Sequence, residues 1–323
     1  MLPDLDQMEA AAQIVYSAMP PTPQYCWPLL CQRLGCEVWV KHENHTPVGA
    51  FKLRGGLVYF ASLASQGALP GVLSATRGNH GQSVALAARR QGLAVRIVVP
   101  FGNSVEKNAA MRALGAELIE HGNDFQAARE YAVQLAAELD WHLVPSFHPL
   151  LVAGVASYAL ELLRAVGDLA TVYVPIGLGS GICGVVAARD ALRLRTEVVG
   201  VVSAHARAYA ASFADRELRA APVTTVLGDG MACRTPEPEA LEVIWRGVDR
   251  VVEVTDDELA VAMCSIFTAT HNVAEGAGAA ALAAAMQERS RLSGRRIAVI
   301  LSGGNVDREP FARVLSNRPL VDS

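Results

Sequence analysis

The chain has 323 residues, 51% of them hydrophobic and 19% charged, with a formal net charge of −4 at pH 7. This composition excludes a largely disordered protein, and the negative charge argues against a basic surface for nucleic acid or an anionic membrane. A chain of this length exceeds what one hydrophobic core usually serves, so we expect two subdomains.

We expect neither a membrane span nor a signal peptide. No apolar run reaches the roughly 18 residues of a membrane-spanning helix, and the N-terminal stretch MLPDLDQMEAA lacks the basic and apolar regions of a signal peptide. The six cysteines contain no C-x-x-C pair and have no histidines at zinc spacing, so we expect reduced thiols, a cytoplasmic protein and no metal site. We expect no C-terminal regulatory domain, because no additional module is present after residue 323.

β-Branched runs alternate with runs rich in alanine and leucine along the chain. The predicted strands are residues 37–43, 71–76, 94–100, 117–122, 171–176, 197–203 and 296–304. The predicted helices include residues 79–92, 104–116, 124–139, 255–271 and an alanine-rich stretch at 277–286. Nearly continuous apolar strands that alternate with helices are typical of parallel sheets covered on both faces, so the predicted fold class is α/β.

Four segments with unusual composition fall where ligands bind in such folds, at strand ends and helix starts. They are GAFKLRGG (49–56), TRGNHGQ (76–82), GLGSGICG (177–184) and SGGN (302–305). The first contains Lys52, one of only three lysines in the chain. Its amine is either a surface charge or a nucleophile.

The glycine-rich segment gives the strongest binding signal. Gly177, Gly179 and Gly181 allow the backbone to approach a ligand, and successive N–H groups can converge on a phosphate at a helix start. A plain strand-to-helix turn is the alternative, but Ser180 among glycines after an apolar strand favours phosphate.

The same segment satisfies G-x-G-x-x-G, the pattern of nicotinamide dehydrogenases. That class needs an acidic residue at the end of the next strand, which here ends at Ser203. We therefore prefer pyridoxal phosphate, whose phosphate would bind the glycines while a lysine amine forms a Schiff base with its aldehyde.

The four segments resemble those of fold-type II pyridoxal-phosphate enzymes, in particular the branch of serine/threonine dehydratases (ammonia-lyases) and serine racemases. The resemblance covers nearly the whole chain. AFKLRGG is similar to the family's S-F-K-x-R-G-A, which implies that Lys52 is the Schiff-base lysine and that Phe51 lies at the cofactor. Ala50 stands where the family has serine, so we expect no hydroxyl contribution there.

Two further matches imply the substrate side of the site. TRGNHGQ is similar to the family's S-x-G-N-H loop, which implies that Asn79 contacts the phenolic oxygen of the cofactor. Thr76 and the amides from Gly78 to His80 would then receive the substrate carboxylate. AEGAG at 274–278 resembles the family's E-P/G-x-A-G, which implies that Glu275 lies near the active site.

The remaining matches imply the phosphate and ring contacts. GLGSG resembles the phosphate-binding glycine loop of the family, with Leu178 and Ser180 as departures. The implied phosphate contacts are Gly177, Leu178, Gly179, Ser180 and Gly181. SGGN resembles the segment whose serine, here Ser302, hydrogen-bonds the pyridine nitrogen. A neutral serine there leaves the pyridine unprotonated, which suits β-elimination.

The resemblance also implies an architecture and a reaction. A larger domain (residues 1–70 and 150–323) would enclose a smaller one (71–149), with the cofactor in the cleft between them. The Lys52 amine, its pKa lowered by desolvation, would remove the Cα proton of a β-hydroxy amino acid such as L-serine or L-threonine. The products would be a 2-oxo acid and ammonia. A homodimer is the expected assembly, since two-fold dimers are commonest.

Arg77 bears on one competing interpretation, an amino-acid racemase. Racemase-like relatives place a serine in this slot as the acid–base group opposite the lysine, and a guanidinium cannot release a proton near neutral pH. Arg77 could instead bind a carboxylate, including the side chain of 3-hydroxyaspartate. Equally, it could turn outward and pair with a surface carboxylate.

Three interpretations remain open. A β-replacement synthase would need a pocket for a second substrate, and a noncatalytic ligand-binding paralogue is disfavoured by the presence of Lys52 and Asn79. A dehydratase for a bulkier substrate such as phenylserine would need space at Cβ. His271 either lines that space or is a structural histidine on a helix face.

Removal of divalent cations tests the expectation that no metal is bound. Racemase-like relatives carry an acidic cluster after the strand corresponding to residues 197–203, whereas SAHARAYAAS at 203–212 contains no carboxylate. We expect exhaustive chelation to leave both activity and melting temperature unchanged. Activity lost on chelation and restored by magnesium would contradict this.

Overall fold

The computed structural model describes residues 2–67 and 69–320. The helices are α1 (Leu5–Tyr16), α2 (Pro28–Leu34), α3 (Lys52–Ala64), α4 (Asn79–Arg90), α5 (Val105–Ala113), α6 (Phe125–Leu139), α7 (Pro149–Ala165), α8 (Ser180–Ala191), α9 (Ala208–Asp215), α10 (Pro238–Gly247), α11 (Asp256–Thr270), α12 (Gly276–Gln287) and α13 (Arg308–Leu315). The strands are β1 (Gln24–Cys26), β2 (Glu37–His42), β3 (Val72–Ala75), β4 (Val95–Val99), β5 (Glu117–Glu120), β6 (His142–Leu143), β7 (Thr171–Pro175), β8 (Glu197–Ser203), β9 (Arg250–Val254) and β10 (Arg296–Leu301).

The strands form two sheets, which confirms the predicted α/β class. A six-stranded sheet has the order β1-β2-β10-β7-β8-β9, and a four-stranded sheet has the order β5-β4-β3-β6. Among the described strand pairs, only β1–β2 is antiparallel. The predicted parallel sheets are confirmed, and β1 adds an antiparallel strand at one edge that the sequence analysis did not include. The link at residues 27–36 is shorter than the dozen or so residues that a parallel crossover needs.

The two sheets use separate parts of the chain. The strands of the four-stranded sheet lie between residues 72 and 143, and those of the six-stranded sheet lie before residue 43 and after residue 170. The division into domains at residues 71 and 149 stays a prediction. The alanine-rich helix α12 has residues 276–285 buried, because small side chains let it pack closely against α11 and the large sheet.

Helix α11 begins with the capping box that its sequence indicates. The Thr255 hydroxyl accepts the backbone N–H of Glu258 at 3.2 Å, and the Glu258 carboxylate accepts the backbone N–H of Thr255 at 2.7 Å. These two bonds satisfy donors that the first helical turn leaves free, so the start of the helix is set locally.

A fully buried guanidinium joins three elements of the large-sheet region. Arg54, in the first turn of α3, donates to Glu43 just after β2 at 2.7 Å. It also donates to Glu161 and Ser157 on α7, at 2.6 and 2.8 Å. Lys41 reaches the other oxygen of Glu161 at 2.5 Å, so two buried cations and two carboxylates balance one another.

Substitution of Arg54 tests how far the fold depends on this network. Arg54→Ala leaves buried carboxylates without their cation, so we expect the free energy of unfolding to fall by about 3–5 kcal/mol in urea denaturation. Arg207 is the matched control, because it pairs with Glu253 at the exposed surface. Arg207→Ala is expected to leave stability nearly unchanged. Equal effects of the two substitutions would show that the network contributes little.

Candidate active site

Backbone contacts bring the Lys52 segment and the SGGN segment together. Ala50 and Gly303 form an isolated antiparallel bridge, and the backbone N–H of Phe51 donates to the carbonyl of Ser302 at 3.0 Å. Lys52 is the first residue of α3, and its Nζ donates to the Ser180 hydroxyl at 3.0 Å. The predicted nucleophile therefore lies at the start of helix α8, beside the glycine-rich segment.

The electrostatic surroundings of Lys52 differ from those of the other two lysines. Lys41 forms an ion pair with Glu161, and Lys107 forms ion pairs with Asp229 and Glu275. Within the described residues, Lys52 has no carboxylate at ion-pair distance. Burial lowers its pKa to about 8, because desolvation disfavours the ammonium form and no described carboxylate offsets it. The amine is thus the one best prepared for nucleophilic chemistry.

The glycine-rich loop has the shape of an anion cradle. Gly179 caps α8 with a left-handed backbone at φ 99°, and a Cβ there would lie 2.5 Å from the Cβ of Ala240. A Cβ at Gly177 would lie 2.5 Å from the carbonyl oxygen of Gly230. Both positions therefore exclude other residues. The carbonyl of Leu178 accepts the hydroxyl of Tyr209 at 3.0 Å, which holds the loop.

The start of α8 fits a phosphate group. The first-turn N–H groups of a helix have no intrahelical partner and carry the positive end of its dipole. Ser180 adds a hydroxyl at this point, and Gly181 is held by the hydroxyl of Tyr158, which donates to its carbonyl at 3.2 Å. The Lys52 amine forms no ion pair with a described residue and lies 3.0 Å from the Ser180 hydroxyl at the helix start. Such an amine next to an anion-binding helix start suits pyridoxal phosphate.

The side chain of Asn79 is held in one orientation by two hydrogen bonds. Its Nδ2 donates to Glu275 Oε1 at 2.6 Å, and its Oδ1 accepts from Asn305 Nδ2 at 2.9 Å. The second N–H of the amide is left for a ligand. Glu275 is buried just before α12, so the structure brings the substrate loop and the AEGAG segment into contact.

The turn before α4 is organised by Thr76. Its hydroxyl accepts the backbone N–H groups of Gly78 and Gly81 at 3.0 and 3.3 Å. Ser302 is buried, and its hydroxyl makes only a long contact of 3.4 Å with the carbonyl of Ala277. That weak contact leaves Ser302 available to a stronger acceptor.

Three other candidates have distinct environments. The Nε2 atom of His80 is buried without a hydrogen-bond partner in residues 2–67 and 69–320, and burial together with the Lys52 charge lowers its pKa to about 3. His80 is therefore neutral. Arg77 is exposed and makes no ion pair with any described residue. His271 is exposed as the left-handed cap that ends α11, with its ring against Phe267.

The sequence analysis did not single out Lys107, Asp229 or Asn305 as site residues. Lys107 lies on α5, Asp229 lies in the turn before α10, and Asn305 closes the SGGN segment. The scarcity of lysine was a signal that could have identified Lys107. Nothing in the sequence near Asp229 marks it, because its partner lies 122 residues away.

The described residues contain neither a candidate metal centre nor a candidate membrane span. The part of the chain that the structure describes contains no group of three or more His, Cys, Asp or Glu side chains that could hold a metal ion. Over the same residues, no helix is both long enough and apolar enough to cross a membrane.

The fold and the position of Lys52 beside the glycine-rich loop are those of a pyridoxal-phosphate enzyme of the α/β type. The chain belongs to the family of pyridoxal-phosphate dependent enzymes, which matches residues 15–303. This confirms the resemblance found in the sequence and identifies pyridoxal phosphate as the cofactor.

Three similar proteins indicate where the chain lies within the family. The biosynthetic L-threonine dehydratase of Haemophilus influenzae is 33% identical over 296 residues, which are 91% of this chain and 58% of that protein. The chain thus spans little more than half of that relative. The L-threo-3-hydroxyaspartate ammonia-lyase of Saccharomyces cerevisiae is 30% identical, with 92% and 91% coverage. The structure of maize serine racemase has a TM-score of 0.91 at 25% identity and covers 98% of each chain.

Amine labelling of the apoprotein tests the assignment of Lys52. Reductive methylation requires a free amine, so we expect Lys52 to react first among the three lysines, with a rate that rises with pH around a midpoint near 8. Peptide mapping by mass spectrometry locates the label, and Lys52→Ala is the control that removes the fast phase. Faster labelling of Lys41 or Lys107 would contradict the assignment.

Proposed function

We propose that the protein is an ammonia-lyase that converts a β-hydroxy amino acid, such as L-threonine or L-serine, into a 2-oxo acid and ammonia. The observation that carries this proposal is the Lys52 amine, which has a lowered pKa and lies 3.0 Å from the hydroxyl of Ser180 at the start of α8. The match to an L-threonine dehydratase over 91% of the chain supports the same reaction.

The cofactor would be held by residues from four segments. The N–H groups of Gly177 to Gly181, with the Ser180 hydroxyl, would bind its phosphate, and Lys52 would bind its aldehyde. Asn79 would donate to its phenolic oxygen and Ser302 would donate to its pyridine nitrogen, with Phe51 beside the ring. When bound, pyridoxal phosphate supplies an electron-withdrawing ring that makes the Cα proton of an attached amino acid acidic.

The residues of the chain would then bind the amino acid and move its proton. Thr76, Gly78 and His80 lie at the turn that would receive the substrate carboxylate, with backbone N–H groups at the start of α4. Lys52 accepts the Cα proton at Nζ, for which it must be unprotonated. Its lowered pKa raises the fraction of free amine at neutral pH, so kcat should increase with pH up to about 8. In the free enzyme Lys52 would be bound to the aldehyde, so kcat/KM would report other groups.

Elimination is favoured over racemisation by the residue at position 77. A racemase needs a second acid–base group on the face opposite Lys52, and an arginine side chain is a poor proton donor or acceptor near neutral pH. The similarity to maize serine racemase in fold does not supply that group. A noncatalytic ligand-binding role is disfavoured because Lys52 and Asn79 are both present and oriented.

A second candidate substrate is an acidic β-hydroxy amino acid. Arg77 is exposed and has no carboxylate partner among the described residues, so its fork of N–H donors is free for the side chain of 3-hydroxyaspartate. The yeast relative, a 3-hydroxyaspartate ammonia-lyase, supports this alternative. Phenylserine has less support, because His271 is exposed.

The setting of the enzyme is also part of the proposal. We place it in the cytoplasm, in agreement with six cysteines that are all free thiols. We propose a homodimer on the general frequency of two-fold assemblies. The segment at 71–149 would act as a small domain against 1–70 and 150–323, with the cofactor between them.

A substrate panel tests the proposed reaction. The protein loaded with pyridoxal phosphate is incubated with L-threonine, L-serine, phenylserine and L-threo-3-hydroxyaspartate, and the 2-oxo acid is trapped as a hydrazone. We expect turnover of at least one of them and no comparable interconversion of L- and D-serine. Arg77→Ala should lower kcat/KM for 3-hydroxyaspartate only if the side chain binds that carboxylate. Racemisation as fast as elimination would refute the proposal.

A further inference from the structure

A buried lysine connects the two sheet regions next to the proposed site. Lys107 extends from α5, and only 6% of its side chain is exposed. Its Nζ lies 2.6 Å from Asp229 Oδ2 and 3.1 Å from Glu275 Oε2. Both carboxylates belong to the part of the chain that forms the large sheet, so one ammonium bridges two acidic groups across the structure.

The stem of Lys107 also covers the substrate loop. A Cβ built on Gly78 would lie 2.3 Å from Cδ of Lys107 and 3.2 Å from its Cγ. The methylene groups therefore pack directly on the backbone that leads into α4. Asn79 follows Gly78 directly. The stem of Lys107 therefore contacts Gly78, and its ammonium group pairs with Glu275, which accepts a hydrogen bond from the Asn79 amide.

The contacts form a continuous chain from Lys107 to the ligand side of Asn79. Lys107 pairs with Glu275, Glu275 accepts from Asn79 Nδ2, and Asn305 donates to Asn79 Oδ1. We propose that Lys107 is a positioning residue that keeps Glu275 ionised and thereby fixes the Asn79 amide with one N–H directed to the cofactor. The inference rests on the proposed function, because Asn79 would contact the cofactor of that reaction.

The charge of Glu275 is the point at which Lys107 acts. Burial raises the pKa of Glu275 above its usual value, the charge of Lys107 opposes this rise, and the charge of Asp229 adds to it. Lys107 and Asp229 are the ionisable groups that act on Glu275 in the described chain. A carboxylate accepts hydrogen bonds more strongly than a protonated carboxyl does, so ionisation strengthens the bond to Asn79.

Lys107 itself is held in the charged form. Burial acts to lower its pKa, but the charges of Glu275 and Asp229 outweigh this effect and raise the pKa above the usual value. Lys107 therefore serves as a permanent cation over the working pH range. Lys52 is the opposite case, so the two site lysines have separate tasks.

Two substitutions shift the pH profile in opposite directions if the proposal holds. Lys107→Met raises the pKa of Glu275 further, so the acid limb of kcat/KM should move to higher pH and activity at pH 7 should fall by about tenfold or more. Asp229→Asn removes the negative charge next to Glu275 and so lowers the pKa of Glu275. The acid limb of kcat/KM should therefore move to lower pH. A purely structural role would lower activity in both variants without opposite shifts.

Conservative and remote variants provide the controls. Lys107→Arg keeps the cation and should retain the position of the acid limb better than Lys107→Met. Arg112 lies on the same helix and forms an exposed pair with Glu120. Arg112→Met removes a cation from α5 without contact to Glu275 and should leave the profile unchanged. An equal shift in Arg112→Met and Lys107→Met would overturn the proposal.

Unfolding of the apoprotein gives a readout that does not depend on activity. A carboxyl whose folded-state pKa is raised makes stability fall as pH rises from its unfolded value to its folded value. In Lys107→Met this window should extend to higher pH, and adding Glu275→Gln should remove the extra pH dependence. If Lys107→Met shows the same pH dependence of urea unfolding with and without the added Glu275→Gln substitution, the inference fails.

The two readouts separate failure of the inference from failure of the proposed function. If no β-hydroxy amino acid is turned over by the wild type, the proposed function is wrong, and the unfolding experiment still decides whether Lys107 holds Glu275 ionised. If turnover occurs and neither pH profile shifts, the proposed function stands and the role of Lys107 is refuted.

Discussion

The buried guanidinium of Arg54 is the interaction on which the site geometry depends. It lies two residues after Lys52, and its bonds to Glu43 and Glu161 fix the first turn of α3 against β2 and α7. A helix start held by a fully buried ion network cannot move without leaving charges unpaired in the interior. The position of the Lys52 amine relative to α8 is therefore set by charges that do not take part in the chemistry.

The lysines show how surroundings assign different tasks to one side chain. Lys41 and Lys107 are buried beside carboxylates, and the charges of Glu275 and Asp229 raise the pKa of Lys107. Lys52 faces the neutral hydroxyl of Ser180, and burial without a carboxylate partner among the described residues lowers its pKa to about 8. This difference, not the residue type, makes one amine suited to covalent and proton-transfer chemistry.

The fold was predictable where strands and helices are long and regular. All seven predicted strands are present, each ending within three residues of its predicted bounds, because most of them are continuous apolar and β-branched runs. Strands β1 and β6 were missed since two or three residues carry no periodic signal. Strand β9 was missed because RVVEV is only partly buried at the sheet edge, where polar and apolar residues mix.

Residue type and local spacing were enough to predict three parts of the site: the Lys52 segment, the glycines before α8 and the Asn79 loop. Each lies at the end of an apolar strand or the start of a helix, so a few neighbouring residues suffice to define it. The tertiary structure alone decided which groups neutralise one another. Lys107 meets Asp229 and Glu275 across more than a hundred residues. Such pairs form only when separate helices pack, and local sequence carries no signal for that.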